Sequence, residues 1–431
     1  MPIGCRAPRA LAALLLLAPP MTAAAQTDAD LAHARRLLAS TILIDGHNDL
    51  PWEIRIAKGA PRDVEAYDLR TPRPRHTDLA RLAAGGLGAQ FWSIYIPGEI
   101  KDSGFARVQL EQFDIARRMI AKYPDRLLFA TSTDDILRAR KEKKLASLLG
   151  MEGGHAIENS LGALRIYYEL GARYMTLTHN VTLAWADAAL GEPIHGGLTP
   201  FGREVVREMN RLGMLADLSH VSPAVMSDVL NVTEAPVIFS HSSSRALTDH
   251  RRNVPDSILA RLPRNGGVVM VTFVPSFVSN AVRLAEDAAD SAHAGFEKAT
   301  ADTAEQGRLM RDYTAAHPMP HATLADVADH IEHVRKVAGV DHVGIGSDFD
   351  GIEFGPDGLE DTSKFPFLFA ELIHRGWSDA DLTKLAGENL LQAFRRAEQV
   401  SQRLRKSRPP STATIEQLDG PAAATPTSPA S

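Results

Sequence analysis

The chain has 431 residues, of which 44% are hydrophobic and 23% charged, a composition that fits a globular protein with a sizeable core. Its net charge of −6 argues against a nucleic-acid partner held through phosphate contacts. The single cysteine, Cys5, excludes an intramolecular disulfide, an iron–sulfur cluster and a cysteine-ligated zinc finger. Any bound metal must therefore be held by His, Asp and Glu.

Residues 1–25 are predicted to be a secretory signal peptide. Arg6 and Arg9 make a basic start, residues 10–18 form an uninterrupted apolar run, and the alanines at 23–25 offer a small-residue cleavage site. An uncleaved anchor or a buried helix is the alternative, but the run is shorter than the roughly 20 residues that a membrane span needs, and both its length and its flanks fit a signal peptide. We therefore expect an exported protein, periplasmic or secreted, without a stable membrane span.

Eight short apolar segments follow, each with the length of a buried strand and separated by amphipathic stretches with helical spacing. They lie at residues 42–45, 88–96, 145–151, 174–178, 214–218, 236–240, 267–274 and 342–346. This alternation predicts a parallel sheet with right-handed crossovers, and eight repeats predict a single α/β domain, a closed (β/α)8 TIM-type barrel over residues 26–406. An open doubly wound sheet would need a glycine-rich phosphate loop after an early strand, and residues 46–49 do not form one.

Two segments interrupt this pattern. Residues 280–320, after the seventh strand, have the spacing and charge of one or two exposed helices. They are interpreted either as a surface excursion or, because they leave the carboxyl end of a strand, as part of a lid or subunit contact. Residues 407–431 are rich in Pro, Ser, Thr and Ala and are predicted to be a disordered tail.

Polar side chains follow most of the predicted strands. In chain order they are His47, Asp49, Tyr95, Glu152, His179, His220, His241 and Asp348. Because the carboxyl ends of all barrel strands open into one mouth, we expect these side chains to converge there. A single such residue would more often be an ordinary hydrogen-bonded group, so it is the recurrence that favours a functional site.

Five of these residues have the chemistry to bind two divalent metal ions, with zinc preferred and manganese or cobalt as alternatives: His47, Asp49, Glu152, His220 and His241. Glu152 is the candidate bridge between the ions. Two ions about 3.5–4 Å apart would share a water and lower its pKa toward about 7. Asp348 would then transfer protons, and His179 would polarise a scissile carbonyl or stabilise its oxyanion.

The motifs around these positions resemble those of the renal or membrane dipeptidase family, which are amidohydrolase-type barrels. The matching segments are IDGHNDLPW at 44–52, GMEGGH at 150–155, LTHN at 177–180, LSHV at 218–221, FSHSS at 239–243, RRNVP at 251–255 and GSDFDG at 346–351. The similarity extends from about residue 41 to about residue 400.

This resemblance implies a binuclear zinc enzyme that cleaves dipeptides with a free amine and a free carboxylate, often tolerating a D-residue at the C-terminal position. By role, the matching residues are His47 and Asp49 for one zinc ion, His220 and His241 for the other, Glu152 for the bridge, Asp348 for the catalytic acid/base, His179 and Arg252 for substrate binding, and Trp52 and Tyr95 for the pocket lining. A homodimer is a further expectation from the family.

Two other functions fit the same metal-binding residues. One is a related barrel hydrolase acting on phosphotriesters, lactones or acylated amino acids, and the other is a secreted metal- or peptide-binding protein. Arg252 favours the dipeptidase, because a guanidinium suits a terminal carboxylate. Asp348 and His179 disfavour pure binding, which needs no acid/base beside the metals. Asp350 is interpreted as a support that orients a ligand.

Overall fold

The computed structural model describes residues 27–100 and 104–421. The predicted signal peptide lies outside these residues. Within them the strands, all parallel, are β1 (Leu43–Asn48), β2 (Leu87–Tyr95), β3 (Leu127–Phe129), β4 (Leu145–Glu152), β5 (Ala172–Thr176), β6 (Leu215–Asp217), β7 (Ile238–Phe239), β8 (Val268–Val271) and β9 (Val343–Ile345).

Eight of these strands close into a barrel in the order β1-β2-β4-β5-β6-β7-β8-β9, with β9 pairing back to β1. Each coincides with one of the eight predicted segments, so the predicted TIM-type barrel is confirmed. The additional strand, β3, pairs with the first residues of β4, from Leu127 opposite Leu145 to Phe129 opposite Ser147. Pairing between β4 and β5 begins only at Leu149, so β3 covers an edge of β4 that would otherwise be open.

Helices surround the barrel. In chain order they are α1 (Asp28–Ser40), α2 (Leu50–Arg55), α3 (Leu79–Ala84), α4 (Phe105–Lys122), α5 (Thr133–Lys141), α6 (Leu161–Glu169), α7 (Pro200–Leu212), α8 (Pro223–Val232), α9 (Asp256–Leu259), α10 (Leu262–Asn265), α11 (Pro275–Val278), α12 (Asn280–Ala299), α13 (Thr303–Ala316), α14 (Leu324–Ala338), α15 (Phe365–His374), α16 (Asp379–Thr383), α17 (Asn389–Ser407) and α18 (Ile415–Asp419). Several start where the sequence provides a hydroxyl cap, such as Ser222 before α8, whose side chain accepts a hydrogen bond from the Val225 N–H. None of the helices in the described residues has both the length and the apolar character needed to cross a membrane.

The barrel interior is filled by large apolar side chains from alternate strand positions, among them Phe91, Leu148, Ile238 and Met270, all of them buried. Phe394 of α17 packs against this cluster. The interior is therefore a solid core, and the space for a ligand lies at the barrel ends.

The predicted helical insertion after the seventh barrel strand is confirmed. It consists of α12 and α13, which pack against each other and then lead into α14. Val282 is the residue of α12 that is buried, and α13 has no buried residue. The insertion is thus an exposed helical hairpin.

The structure differs from the sequence expectation at residues 408–421, which pack against the barrel rather than forming a disordered tail. The side chain of Ile415 in α18 is buried. The Asp419 carboxylate accepts hydrogen bonds from Thr199 Oγ1 (2.6 Å) and the Phe201 N–H (3.0 Å) at the amino terminus of α7. A carboxylate at that end of a helix is favoured by the helix dipole. The remaining predicted tail, residues 422–431, lies outside the described residues.

Candidate active site

A cleft of about 460 Å³ opens at the carboxyl ends of the barrel strands. Nine of the ten predicted site residues line it: Asp49, Trp52, Tyr95, Glu152, His179, His220, His241, Arg252 and Asp348. The tenth, His47, is fully buried beneath the cleft, with its Nε2 3.3 Å from both Asp49 Oδ2 and Glu152 Oε2. The structure therefore brings together every site residue that the sequence predicts.

Glu152, the last residue of β4, occupies the centre of the site. Its Oε2 faces His47 and accepts a hydrogen bond from Ser93 Oγ at 2.9 Å. Its Oε1 faces the other way, 3.1 Å from His220 Nε2 and 3.6 Å from His241 Nε2. One oxygen of the carboxylate therefore faces His47 and the other faces His220 and His241. This is the arrangement of a carboxylate that bridges two metal ions.

The ligand-type atoms form three overlapping groups, in each of which all atoms lie within 4.8 Å of one another. The groups are His47, Asp49 and Glu152; Glu152, His220 and His241; and His47, His241 and Asp348. The first two share Glu152 and together contain all five predicted ligands.

Hydrogen bonds set the tautomers of the three histidines. His47 Nδ1 donates to the Tyr174 hydroxyl at 2.8 Å, whose own hydrogen is directed to Gly46 O. His241 Nδ1 donates to Ser240 Oγ at 2.8 Å. His220 Nδ1 donates to Asn180 Oδ1 at 3.0 Å. Because every Nδ1 has a hydrogen-bond partner outside the set of candidate ligands, every Nε2 faces the site, which is the orientation of a metal-binding imidazole.

The electrostatics of the site fit a bound cation. His220 Nε2 and His241 Nε2 lie 2.9 Å apart, and burial together with the nearby Arg252 holds the pKa of both rings well below the usual range. Two neutral rings so close present lone pairs to each other. In addition, His47 Nε2 and Asp49 Oδ1 are buried without a hydrogen-bond partner. Divalent cations would satisfy all of these atoms, so the donor set fits metal ions.

Arg252 and His179 also line the cleft. Arg252 is 2% exposed, its Nη1 lies 3.5 Å from Ser242 Oγ, and its guanidinium stacks over Phe277. Burial lowers its pKa to about 10, which leaves it charged at neutral pH. The His179 ring packs against Tyr95, and its buried Nδ1 lacks a hydrogen-bond partner. Both side chains thus hold hydrogen-bonding capacity that a ligand in the cleft could use.

Asp348 enters the cleft from the loop after β9, and its Oδ1 lies 3.9 Å from His47 Nε2. Its backbone is left-handed, with φ of 67°. Burial and the carboxylates of Asp49 and Glu152 raise its pKa well above the usual range. A Cβ added at Gly351 would collide with the carboxylates of Asp49 and Asp348, so glycine is required for this approach.

Comparison with known families agrees with this geometry. The family model described as membrane dipeptidase, peptidase family M19, matches residues 31–408. The chain belongs to the membrane dipeptidase family. It is accordingly a metallo-dipeptidase, and metal use is a property of this family.

Solved structures agree with the family assignment. The probable dipeptidase PvdM from Pseudomonas aeruginosa is 26% identical with a TM-score of 0.75, covering 86% of this chain and 99% of that one. A dipeptidase described as a metallopeptidase of family M19 is 25% identical with a TM-score of 0.67, covering 83% and 98%. A Rhodobacter sphaeroides metallopeptidase, solved with a phosphinate mimic of the dipeptide L-Ala-D-Ala, shares the fold at 24% identity and a TM-score of 0.68, covering 83% and 99%.

Residues that the sequence analysis did not single out hold the ligands of this membrane dipeptidase family member in place. Tyr174 hydrogen-bonds His47, and a Cβ at Gly150 would overlap its ring. Asp217 accepts a hydrogen bond from Ser240 Oγ at 2.6 Å and so orients the partner of His241. In the sequence, such a residue can be recognised as an acidic or phenolic side chain within an otherwise apolar strand, as at Asp217.

Asp350 lies where a residue that orients a neighbouring ligand is expected. It is buried, its Oδ1 accepts a hydrogen bond from the His76 N–H at 2.9 Å, and it belongs to none of the three metal-ligand groups. It lines the same cleft from β9, close to Asp348. Its role is therefore to hold the loop that carries Asp348.

Proposed function

We propose that this metallo-dipeptidase is an exported enzyme that binds two zinc ions and hydrolyses dipeptides carrying a free amine and a free carboxylate. The observation that carries the proposal is the orientation of Glu152, whose two carboxylate oxygens face separate histidines that all present Nε2. Zinc is preferred because imidazole and carboxylate are its ordinary ligands, although manganese or cobalt accept the same donors.

In this proposal His47, Asp49 and Glu152 hold one ion, and Glu152, His220 and His241 hold the other. The bound ions would supply a water molecule activated as a nucleophile near neutral pH and would polarise the peptide carbonyl. The protein supplies the orientation of the ligands through Tyr174, Ser240 and Asn180, as derived from their hydrogen bonds.

Asp348 is proposed as the group that moves the proton. Its carboxylate is partly exposed in the cleft beside the ligand groups, where it can accept a proton from the attacking water and deliver it to the leaving amine. His179 lies across the cleft, with Nε2 3.8 Å from Glu152 Oε1, and is proposed to donate to the carbonyl oxygen as negative charge develops there.

Arg252 is proposed to bind the substrate's terminal carboxylate. Its guanidinium is buried, charged and in contact with the cleft, and a carboxylate matches its two parallel donors. A longer peptide would place a neutral amide against this cation. The enzyme is therefore expected to act on dipeptides, with Trp52 and Tyr95 contacting the substrate on the other side of the scissile bond.

Three finer features of the proposal rest on the family resemblance or on the amino-terminal sequence. Tolerance for a D-residue at the C-terminal position and a homodimeric assembly rest on family resemblance. Export to the periplasm or the medium rests on the basic start and apolar run of residues 1–25. Amino-terminal sequencing of the mature protein tests this last point, since cleavage after residue 25 would leave Gln26 as the first residue.

The deciding experiment measures amino-acid release from a panel of L,L- and L,D-dipeptides by zinc-loaded enzyme. Lactones, phosphotriesters and N-acyl amino acids are tested in parallel. We expect free dipeptides to be the best substrates, with loss of turnover on chelation and recovery on adding zinc. Faster hydrolysis of a lactone, phosphotriester or N-acyl amino acid would contradict the dipeptidase proposal. Metal binding without turnover of any substrate would favour a binding protein.

A further inference from the structure

A second cavity, of about 530 Å³, lies at the opposite end of the barrel from the catalytic cleft. Its wall includes the first residues of three strands, Leu87 of β2, Leu127 of β3 and Leu145 of β4. The catalytic residues follow the carboxyl ends of the strands, so the two cavities do not share a wall. We call this second cavity the basic pocket.

Among the residues that the structure describes, five cationic side chains and no carboxylate line the basic pocket. They are Arg126, Arg140, Lys141, Lys143 and Lys144. The local charge of the basic pocket is thus positive, whereas the chain as a whole has a net charge of −6. The remaining lining is apolar, contributed by α1, α3 and the strand starts.

Most of these cations lack a neutralising partner. Lys144 pairs with Glu142 at 2.8 Å. Within residues 27–100 and 104–421, Arg126, Arg140, Lys141 and Lys143 form no ion pair with a carboxylate. The two arginines donate instead to backbone carbonyls, Arg126 to Leu79 O and Arg140 to Ala39 O. These bonds orient the guanidinium groups without cancelling their charge.

The backbone after α5 places Lys143 and Lys144 at the edge of the basic pocket. Helix α5 ends in a turn in which the Lys143 N–H donates to Arg140 O and the Lys144 N–H donates to Ala139 O. Lys143 occupies the left-handed position of this motif, with φ of 55°, where glycine is the preferred residue. The carboxyl end of α5 attracts cations by its dipole, but Arg126 comes from the loop before β3, so the dipole does not explain the whole cluster.

The geometry points to the basic pocket as a binding site for a small ligand that carries two phosphate groups. Two phosphomonoesters bring a charge of about −3 to −4, which matches the four unpaired cations. Guanidinium forks and lysine ammonium groups are the usual partners of phosphate oxygens. A volume of about 530 Å³ admits such a molecule or a lipid headgroup that carries two phosphate groups. This site is independent of the proposed dipeptidase function.

Calorimetric titration of the metal-loaded enzyme with fructose 1,6-bisphosphate, fructose 6-phosphate and fructose tests the proposal. We expect the bisphosphate to bind, the monophosphate to bind at least about 10-fold more weakly, and fructose not to bind, with affinity falling as salt is added. Each cation removed should weaken binding about 5-fold. A triple variant, Arg126→Gln with Lys141→Gln and Lys143→Gly, should therefore bind about 100-fold more weakly.

Two controls separate this effect from misfolding and from general charge. Lys143→Gly alone should leave the thermal midpoint unchanged or higher, since glycine suits the left-handed position, yet weaken bisphosphate binding. Lys298→Gln removes one exposed cation from the α12–α13 hairpin and should leave binding unchanged.

Sedimentation with phosphatidylcholine vesicles, with and without phosphatidylinositol 4-phosphate, distinguishes a lipid headgroup from a soluble ligand. Loss of soluble bisphosphate binding in the triple variant supports a soluble ligand. Loss of binding to the phosphatidylinositol 4-phosphate vesicles alone supports a headgroup. If the wild type binds neither, or the triple variant binds as well as the wild type, the proposal is wrong, and retained binding would place the anion elsewhere, for example at Arg252.

Discussion

The two ends of the barrel hold charge in opposite ways. At the carboxyl ends of the strands, the five candidate metal ligands are buried, and each of the three histidines among them is oriented by a hydrogen bond at Nδ1, as for His47 on Tyr174. At the amino ends, the cations of the basic pocket come from the end of α5 and a loop, and several are exposed to solvent. Burying a charged group costs free energy unless the group is paired or hydrogen-bonded. The buried groups at the catalytic end are therefore held by specific partners, whereas exposed cations do not need them.

This contrast explains what each end is suited to do. Catalysis needs atoms held to within a fraction of an ångström, which the buried strand ends provide. Attraction of a small anion needs mainly charge of one sign, which exposed side chains at a helix end can supply. Substitutions at the mouth should therefore have large and specific effects, and those at the basic pocket should leave catalysis unchanged.

The largest expected effect comes from Glu152→Gln. An amide keeps the size of the carboxylate but not its charge, so both groups of ligands lose their shared anion. We expect elemental analysis to show both ions weakened together and dipeptide hydrolysis to fall below detection. Retention of one ion at full occupancy would show that Glu152 does not bridge. An exposed match, Glu416→Gln in α18, should leave both ions and turnover unchanged.

Asp348→Asn should leave metal content close to wild type and reduce kcat by about 10²–10⁴-fold, because the amide cannot accept the proton. Elemental analysis measured beside the kinetics separates loss of chemistry from loss of metal. Near wild-type turnover would remove Asp348 from the mechanism. Glu53→Gln changes another carboxylate of the same cleft and should have the smaller effect.

Arg252→Ala should reduce kcat/KM for free-acid dipeptides by about 10- to 150-fold, the range for a lost hydrogen bond to a charged group. C-terminally amidated dipeptides should already be poor substrates of the wild type and should lose little more. Tripeptides should be poorer still. Equal losses on free and amidated substrates would show that Arg252 does not read the carboxylate. The adjacent Arg251→Ala is the matched control.

Tyr174→Phe tests the hydrogen bonds that orient the metal ligands. Removing the hydroxyl leaves His47 Nδ1 without its partner, while the ring still fills the space beside Gly150. Loss of such a partner typically weakens metal affinity or activity by about 10- to 100-fold. In a chelator titration, the wild type should retain its metal ions at higher chelator concentrations than the variant does. Phe91→Leu changes a neighbouring core side chain without touching the hydrogen bond and should cost stability rather than metal affinity.

The smallest expected effect is at the basic pocket. The triple variant Arg126→Gln, Lys141→Gln, Lys143→Gly should keep the wild-type kcat/KM for dipeptides, because none of these residues lines the catalytic cleft. A change of more than a few-fold in dipeptide turnover would show that the two ends of the barrel are coupled and do not act independently.

Of the ten residues at the catalytic mouth, Trp52 and Arg252 are predicted only by the family resemblance. The sequence pattern itself predicts the eight barrel strands and the other eight residues. This succeeds because buried parallel strands are continuous apolar runs, and because every residue just past a strand end faces the same opening in a closed barrel. Once the barrel is recognised, position along the chain is enough to place His47, Glu152 and Asp348 together. No knowledge of their partners is required.

The tertiary structure decided what depends on contacts between distant residues. His47 and Tyr174 are 127 positions apart, and Thr199 and Asp419 are 220 apart, so no local pattern announces either hydrogen bond. β3 is only three residues long, too short for its apolar run to be told from a turn. Composition made residues 408–421 look disordered, yet a buried Ile415 and a carboxylate at the start of α7 are enough to order them, because packing against an existing surface offsets their conformational entropy.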